Sequence, residues 1–155
     1  MLPHTHFLFG LLLAILGYWG GQFDKASAII LAIASVAIDV DHPIAYFIHH
    51  GKLRLKNAWN NAAKQREHER TFIHTPVGIV IISAILLLLM RFDIIAYVLF
   101  LAYFSHMLLD YLYNKTYKPN KFVKILNIEI PIFFPEIVLD MFLIAANIIA
   151  FYFAF

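Results

Sequence analysis

Apolar residues fall along the chain in long blocks rather than at alternate positions, the pattern of buried or membrane-spanning helices rather than of strands. Five blocks, at residues 5–21, 26–48, 72–90, 94–113 and 137–155, approach the about 20 residues that a helix needs to cross a bilayer. The first and third reach that length only with their flanking residues, so the first reads as tilted, partly interfacial or packed inside the bundle. No internal repeat, low-complexity tract or long linker divides the chain. The pattern predicts a single all-α domain over 1–155, a polytopic integral membrane helical bundle with about five transmembrane helices.

The connections between blocks differ sharply in charge. That at 49–71 carries Lys52, Arg54, Lys56, Lys64, Arg66 and Arg70, and that at 114–136 carries Lys115, Lys118, Lys121 and Lys124; the other two carry Lys25 and Arg91. The positive-inside rule places the second and fourth connections in the cytoplasm, with the N-terminus inside and the C-terminus outside. The loop lysines then serve as topological signals and contacts to anionic lipid. The opening "MLPHTHFLFGLLLAILGYWGG" has an apolar core of signal-peptide length but no basic segment before it and no small-residue cleavage site, so it is expected to be retained.

Composition agrees with a membrane protein. Hydrophobic residues make up 62% of the chain and charged residues 14%, against about 25% charged in soluble domains, and the mean hydropathy is +0.75. A net charge of +2, confined to loops, gives no basis for nucleic-acid binding. The chain has no cysteine, which excludes disulfides and thiolate metal sites; any metal must be held by histidine and carboxylate.

Placing the polar residues by depth makes the candidate chemistry visible. His6 lies near the start of the first block and His74 near the start of the third, both on the cytoplasmic side. At 1.5 Å per residue Asp39 lies about 20 Å from the outer end of the second helix, and His106 and Asp110 lie about 18 and 24 Å along the fourth. Asp140 falls in the first turn of the fifth. Every ionisable residue within the five blocks thus falls in one layer of the membrane. An isolated charge there costs about 2.5–3.5 kcal/mol on insertion scales, so Asp39, Asp41 and Asp110 need a shared partner. A divalent cation held by side chains from facing helices supplies one.

Local spacing supports the cluster. In "SHMLLDY" His106 and Asp110 are four residues apart and share a helical face; an acid hydrogen-bonded to a histidine one turn earlier would have the same spacing. In "DVDHP" Asp39 and His42 share a face while Asp41 points elsewhere on a regular helix. Pro43 cannot donate to the Asp39 carbonyl and biases His42 away from helical angles, so a break here would turn all three side chains toward one point. The alternative is a helix end with its acids in headgroup water. Of His4 and His6, His6 is nearer the helix body and is preferred as the inward one. In "HERTFIHTP" Arg70 precedes His74 by one turn, and its planar fork of donors suits phosphate or carboxylate, although a juxtamembrane arginine that simply snorkels would look alike. His49, His50 and His68 are expected to be solvated. "NIEIPIFFPEI" reads as an extended or re-entrant segment leading back to the fifth helix, either roofing the polar site or lying at the interface.

The ordered motifs "THFLFG", "DVDHP", "RTFIHTP", "SHMLLD" and "IPIFFP" resemble the YdjM family of small integral-membrane proteins, described as LexA-regulated or membrane-bound metal-dependent hydrolases, over nearly the whole chain. The matching positions are His6, Asp39, Asp41, His42, Arg70, His74, His106 and Asp110. The third motif departs from the family pattern His-Arg-x-x-Thr-His-Ser: Glu69 stands for the first histidine and Ile73 for the threonine. Glu69 retains the ability to bind metal or act as a base, whereas the hydroxyl is lost. The family is also distantly similar to zinc-dependent phospholipase C and the S1 and P1 nucleases, whose His-x-x-x-Asp pair has the spacing of His106 and Asp110; that likeness implies phosphoester hydrolysis by analogy of fold.

Together these readings give an expected membrane-embedded metal-dependent hydrolase of the inner membrane. His6, Asp39, Asp41, His42, His74, His106 and Asp110 are the candidate ligands of one or more Zn²⁺ or similar divalent ions; seven candidates exceed the four ligands of a typical zinc. Asp39 or Asp41 is the candidate bridge or proton acceptor, and Arg70 the candidate partner of a substrate phosphate. Membrane lipids are the expected surroundings, and a lipid or phosphoester the expected substrate. Two rivals stay open. An ion or proton transporter would need a relay across the membrane, and the outer halves lack ionisable residues. A non-catalytic protein would use the same ligands to pin its helices together.

Overall fold

The computed structural model describes residues 3–52, 54–63, 72–116, 121–125, 128–132 and 134–154. Among the described residues seven helices run as α1 (Pro3–Trp19), α2 (Lys25–Ala37), α3 (Asp41–His50), α4 (Leu55–Ala63), α5 (Pro76–Leu89), α6 (Ile94–Thr116) and α7 (Phe134–Ala154). Two strands, β1 (Lys121–Ile125) and β2 (Ile128–Ile132), separate α6 from α7. The architecture is the helical membrane bundle expected from the apolar blocks, with one addition. The strands pair antiparallel, Lys121 opposite Ile132 and Ile125 opposite Ile128, in part of the chain where Pro131 is tolerated because a two-stranded ribbon leaves each strand an open edge. The expected extended stretch at 128–132 is therefore half of a hairpin.

Three segments among the described residues are long and apolar enough to cross a membrane: Lys25–His50, Ile94–Tyr113 and Glu136–Ala154. The other two expected spans are shorter. α1 has 17 residues and α5 has 14, or about 26 and 21 Å against a hydrocarbon core of about 30 Å. The chain's own punctuation sets both lengths. α1 stops at Gly20-Gly21, where Gly21 takes φ +70°, a left-handed value that glycine adopts without Cβ strain, and the Gln22 N–H donates to the Gly17 carbonyl at 2.8 Å. α5 starts late because Phe72–His74 form a 3-10 turn instead. The Thr75 hydroxyl then caps α5 by accepting from the Gly78 N–H at 3.1 Å, and Pro76 occupies the first helical position, where its missing N–H has no intrahelical partner to lose.

The 26–48 block is one apolar run with a tightened joint. α2 is capped by Asp24, whose carboxylate accepts from the Ser27 N–H at 2.7 Å; that bond holds its carboxyl below the usual carboxylate range. Ile38–Val40 then wind as a 3-10 turn, and α3 resumes at Asp41. Pro43 sits in the first turn of α3, where no intrahelical donor is required. His42 accordingly keeps helical geometry, and the break lies before the proline, at Asp39, rather than at His42.

Small residues bring α1 and α2 close together. Gly10, Ala14 and Gly17 face Ser35, Ala32 and Phe23, and Ala14, Phe23, Leu31, Ala32 and Val98 form the apolar core with α6. α1 also packs on α7, and α5 on α6. On α7, the Asn147 amide donates to the Leu8 carbonyl at 2.9 Å. Large apolar side chains such as Val80, Leu88, Met141, Phe142 and Ile148 are exposed, which in water would be a liability and in lipid is the expected outer face.

Candidate metal centre

Four structural elements converge on one polar cluster. α1 supplies His6, the joint between α2 and α3 supplies Asp39, Asp41 and His42, the turn before α5 supplies His74, and α6 supplies His106 and Asp110. His6, His74 and His106 are almost wholly buried, with side-chain exposures of 1%, 1% and 0%. The cluster is least buried at His42 and Asp39, whose side chains are 21% and 14% exposed. Three overlapping groups, His6–Asp39–His106, Asp39–His42–His74 and His74–His106–Asp110, each place one ligand atom per residue within 4.8 Å of the others. These buried groups can hold a metal ion.

The imidazole tautomers follow from their outer partners. The His106 Nδ1–H donates to the Ser35 backbone carbonyl at 2.7 Å, an oxygen that only accepts. The His74 Nδ1 lies 2.6 Å from the Asp41 carboxylate, so it too carries the proton. In neutral imidazoles both Nε2 atoms are then lone pairs. They nevertheless face each other at 3.4 Å, an arrangement that calls for a cation or a proton between them. His6 adds a second sign: both of its ring nitrogens are buried without a hydrogen-bond partner among the described residues, as is Asp39 Oδ2. Buried polar atoms left in this state call for an ion or water.

The spacings suit an ion better than direct hydrogen bonds. His6 Nε2 to Asp110 Oδ1 is 3.3 Å, His106 Nε2 to Asp39 Oδ1 is 3.4 Å, and His42 Nε2 to Asp39 Oδ1 is 3.5 Å. Ligands held about 2.1 Å from a tetrahedral ion stand about 3.4 Å apart. His6 also stacks on His106, ring centroids 3.7 Å apart, so the closeness of α1 to α2 and α6 sets the position of one imidazole against the other.

Asp41 belongs to none of the three groups. It backs His74, as the outer carboxylate that would fix the ring and proton of a histidine ligand. Asp39, by contrast, is shared by two groups, and its Oδ1 faces both His106 and His42. Arg70 and Glu69, with His68, lie outside the described residues. His4 points away from the cluster, 54% exposed and 2.7 Å from Asp140, while His49 and His50 are exposed.

Several supporting residues had not been singled out from the sequence. Ser35 anchors His106 through its carbonyl. The Tyr103 hydroxyl donates to the Ile73 carbonyl at 2.5 Å, fastening the turn that carries His74 to α6. Glu136 is buried, accepting from Thr5 at 3.0 Å and from Tyr113 at 3.1 Å, and Thr5 also bonds Asp140 at 2.8 Å. Glu136 stands one turn before Asp140 in the apolar "FFPEIVLD", so the reasoning that singled out Asp39 and Asp110 would have found it.

No curated protein and no solved structure matches the chain. A family model described as YdjM inner membrane protein matches residues 1–153, and with nearly the whole length covered, the chain belongs to the YdjM family of inner membrane proteins.

Proposed function

We propose that the protein is a membrane-embedded metal-dependent hydrolase acting on a phosphoester, with lipid phosphoesters the favoured class because the cluster is built into apolar helices. The observation that carries this reading is the pair of facing His74 and His106 Nε2 atoms, each with its Nδ1 proton engaged elsewhere. Six residues, His6, Asp39, His42, His74, His106 and Asp110, would hold the metal, and six candidates exceed the four ligands of a typical single zinc. Histidine and carboxylate suit Zn²⁺ among the divalent ions. A bound divalent ion supplies Lewis acidity and lowers the pKa of water, the chemistry of metal-assisted phosphoester hydrolysis.

The protein's own side chains have distinct parts in this scheme. Asp41 and the Ser35 carbonyl hold the rings of His74 and His106 and keep their Nε2 atoms unprotonated. Asp39, on the less buried side of the cluster, is the proposed acceptor of a proton from water. Arg70, four residues before His74 in the sequence, is the proposed cationic partner of the substrate phosphate. The same location next to "His42" and the basic 49–71 connection favours an opening to the cytoplasmic side, with the N-terminus inside.

Metal analysis of the detergent-purified protein beside a His106→Ala, Asp110→Ala variant tests the centre. The expected result is bound divalent metal in the wild type and at least a tenfold loss in the variant; equal content in both, or none in either, would refute it. A phosphoester and phospholipid panel assayed with and without chelator then tests turnover. Metal binding without chelator-sensitive hydrolysis of any member would instead support a structural centre.

A further inference from the structure

Apart from the metal centre, α1 and α2 enclose a groove of about 350 Å³ between Phe7 and Tyr18 on one helix and Lys25 and Ile33 on the other. Its floor is made by Leu11, Ala14, Ala28 and Ala32, where small side chains leave room that larger ones would fill. One end carries Tyr18 and Lys25. Lys25 opens the membrane-crossing segment Lys25–His50, and Tyr18 and Trp19 close α1, the aromatic and cationic pairing that marks a membrane boundary. Lys25 is exposed, and among the described residues no carboxylate pairs with it; the neighbouring Asp24 is engaged with the Ser27 N–H.

We propose that this groove is a phospholipid site, in which one acyl chain of an anionic phospholipid lies between α1 and α2 and its phosphate rests on Lys25. The groove runs from Phe7 to Tyr18 along α1, about 16 Å at 1.5 Å per residue, the depth of about one leaflet of a 30 Å hydrocarbon core. A hydrocarbon chain no wider than a leucine side chain enters it. Charge selects the headgroup: the Lys25 stem continues the apolar wall while its ammonium reaches the boundary, as snorkelling lysines do, and meets the phosphate there. The site is independent of the metal centre and stands or falls separately from it.

Native mass spectrometry of the full chain, released from detergent micelles and titrated with phosphatidylglycerol or with phosphatidylcholine of the same acyl chains, tests the proposal. The wild type is expected to retain one phosphatidylglycerol and to prefer it about fivefold over phosphatidylcholine, the equivalent of about 1 kcal/mol for one lysine at a membrane surface. Lys25→Gln should abolish the preference. Ala28→Phe and the more exposed Ile33→Trp should each lose both lipids; two variants are used so that misfolding of one leaves the other to decide. Retained preference in Lys25→Gln, or wild-type lipid retention in a groove variant that keeps native helix content, overturns the proposal. So does light scattering that shows a wild-type dimer broken to monomers by the groove variants, because the groove would then receive a second copy.

Discussion

A single methyl group at Gly10 should disable the metal centre from outside it. Built on the Gly10 backbone, a Cβ would lie 2.0 Å from the Ser35 hydroxyl oxygen and 2.6 Å from its Cβ. The hydroxyl can rotate away, giving up its bonds to the His6 and Ala32 carbonyls, but the Cβ is fixed to the helix. Ordinary contact begins at 3.4 Å, so α1 and α2 must part by about 0.8 Å, and overpacking of this kind costs about 1–3 kcal/mol. The displacement falls on the ligands directly. His6 rides on α1 one turn before Gly10, while the Ser35 carbonyl on α2 positions His106. Metal-ligand distances tolerate only about ±0.2 Å, so a shift several times larger should weaken metal binding about 10–100-fold, the range seen when ligand-orienting partners are lost. At fixed free metal that removes about 1.4–2.7 kcal/mol of metal-linked stability. The assay is metal content and thermal melting of Gly10→Ala in detergent, with and without added metal. The double variant Gly10→Ala, Ser35→Gly supplies the decisive comparison. It removes both clashing atoms, leaves the Ala32 Cα at an ordinary 3.6 Å, and keeps the carbonyl that holds His106. It should regain metal even though the glycine costs about 1 kcal/mol in helix propensity. Wild-type metal affinity in Gly10→Ala, or a double variant no better than the single, would show that helix separation does not control the centre.

Four further substitutions separate proposed ligands from supports. Asp41→Asn should lower metal affinity about 10–100-fold while saturating metal restores full stoichiometry, whereas Asp39→Ala should reduce the stoichiometry itself; identical titrations for the two variants would make Asp41 a ligand. Gly78→Ala places a Cβ 1.8 Å from the Phe72 carbonyl oxygen, so the turn carrying His74 must move, and metal content should drop although the substitution touches no ligand; unchanged content refutes the coupling. Glu136→Leu strands the buried Thr5 and Tyr113 hydroxyls at a cost of about 1–3 kcal/mol, lowering the melting temperature by about 2–4 °C per kcal/mol with metal content preserved, and a parallel loss of metal would place Glu136 within the centre's own support.

Much of this could be read from residue order because lipid makes polar residues conspicuous. A carboxylate in an aqueous domain has many uses, but Asp39 and Asp110 in apolar helices demand a partner, and depth along the helices alone places them beside His6, His74 and His106. The spans at 26–48, 94–113 and 137–155 were legible for the same reason: hydropathy reports length directly where backbone bonds must close within the helix. What was not legible depends on local geometry that hydropathy averages away. The 3-10 turn at Ile38–Val40 lies inside the 26–48 block, where hydropathy gives no sign of it, and the third block starts at Phe72 although Thr75 and Pro76 carry the signals of a helix start after it. Pro43 pointed to the right place for the wrong step, because a proline in a first turn breaks nothing. The strand pair escaped because its register rests on pairing between Lys121–Ile125 and Ile128–Ile132, which neither period reveals. Most instructive is the division between Asp39 and Asp41. Both are acids in one motif, and spacing alone said only that they point apart; the role of each is set by what lies beyond it, His74 Nδ1 for Asp41 and the Nε2 atoms of His42 and His106 for Asp39. The two acids are the same residue type in sequence, and only the third dimension tells which nitrogen each one meets.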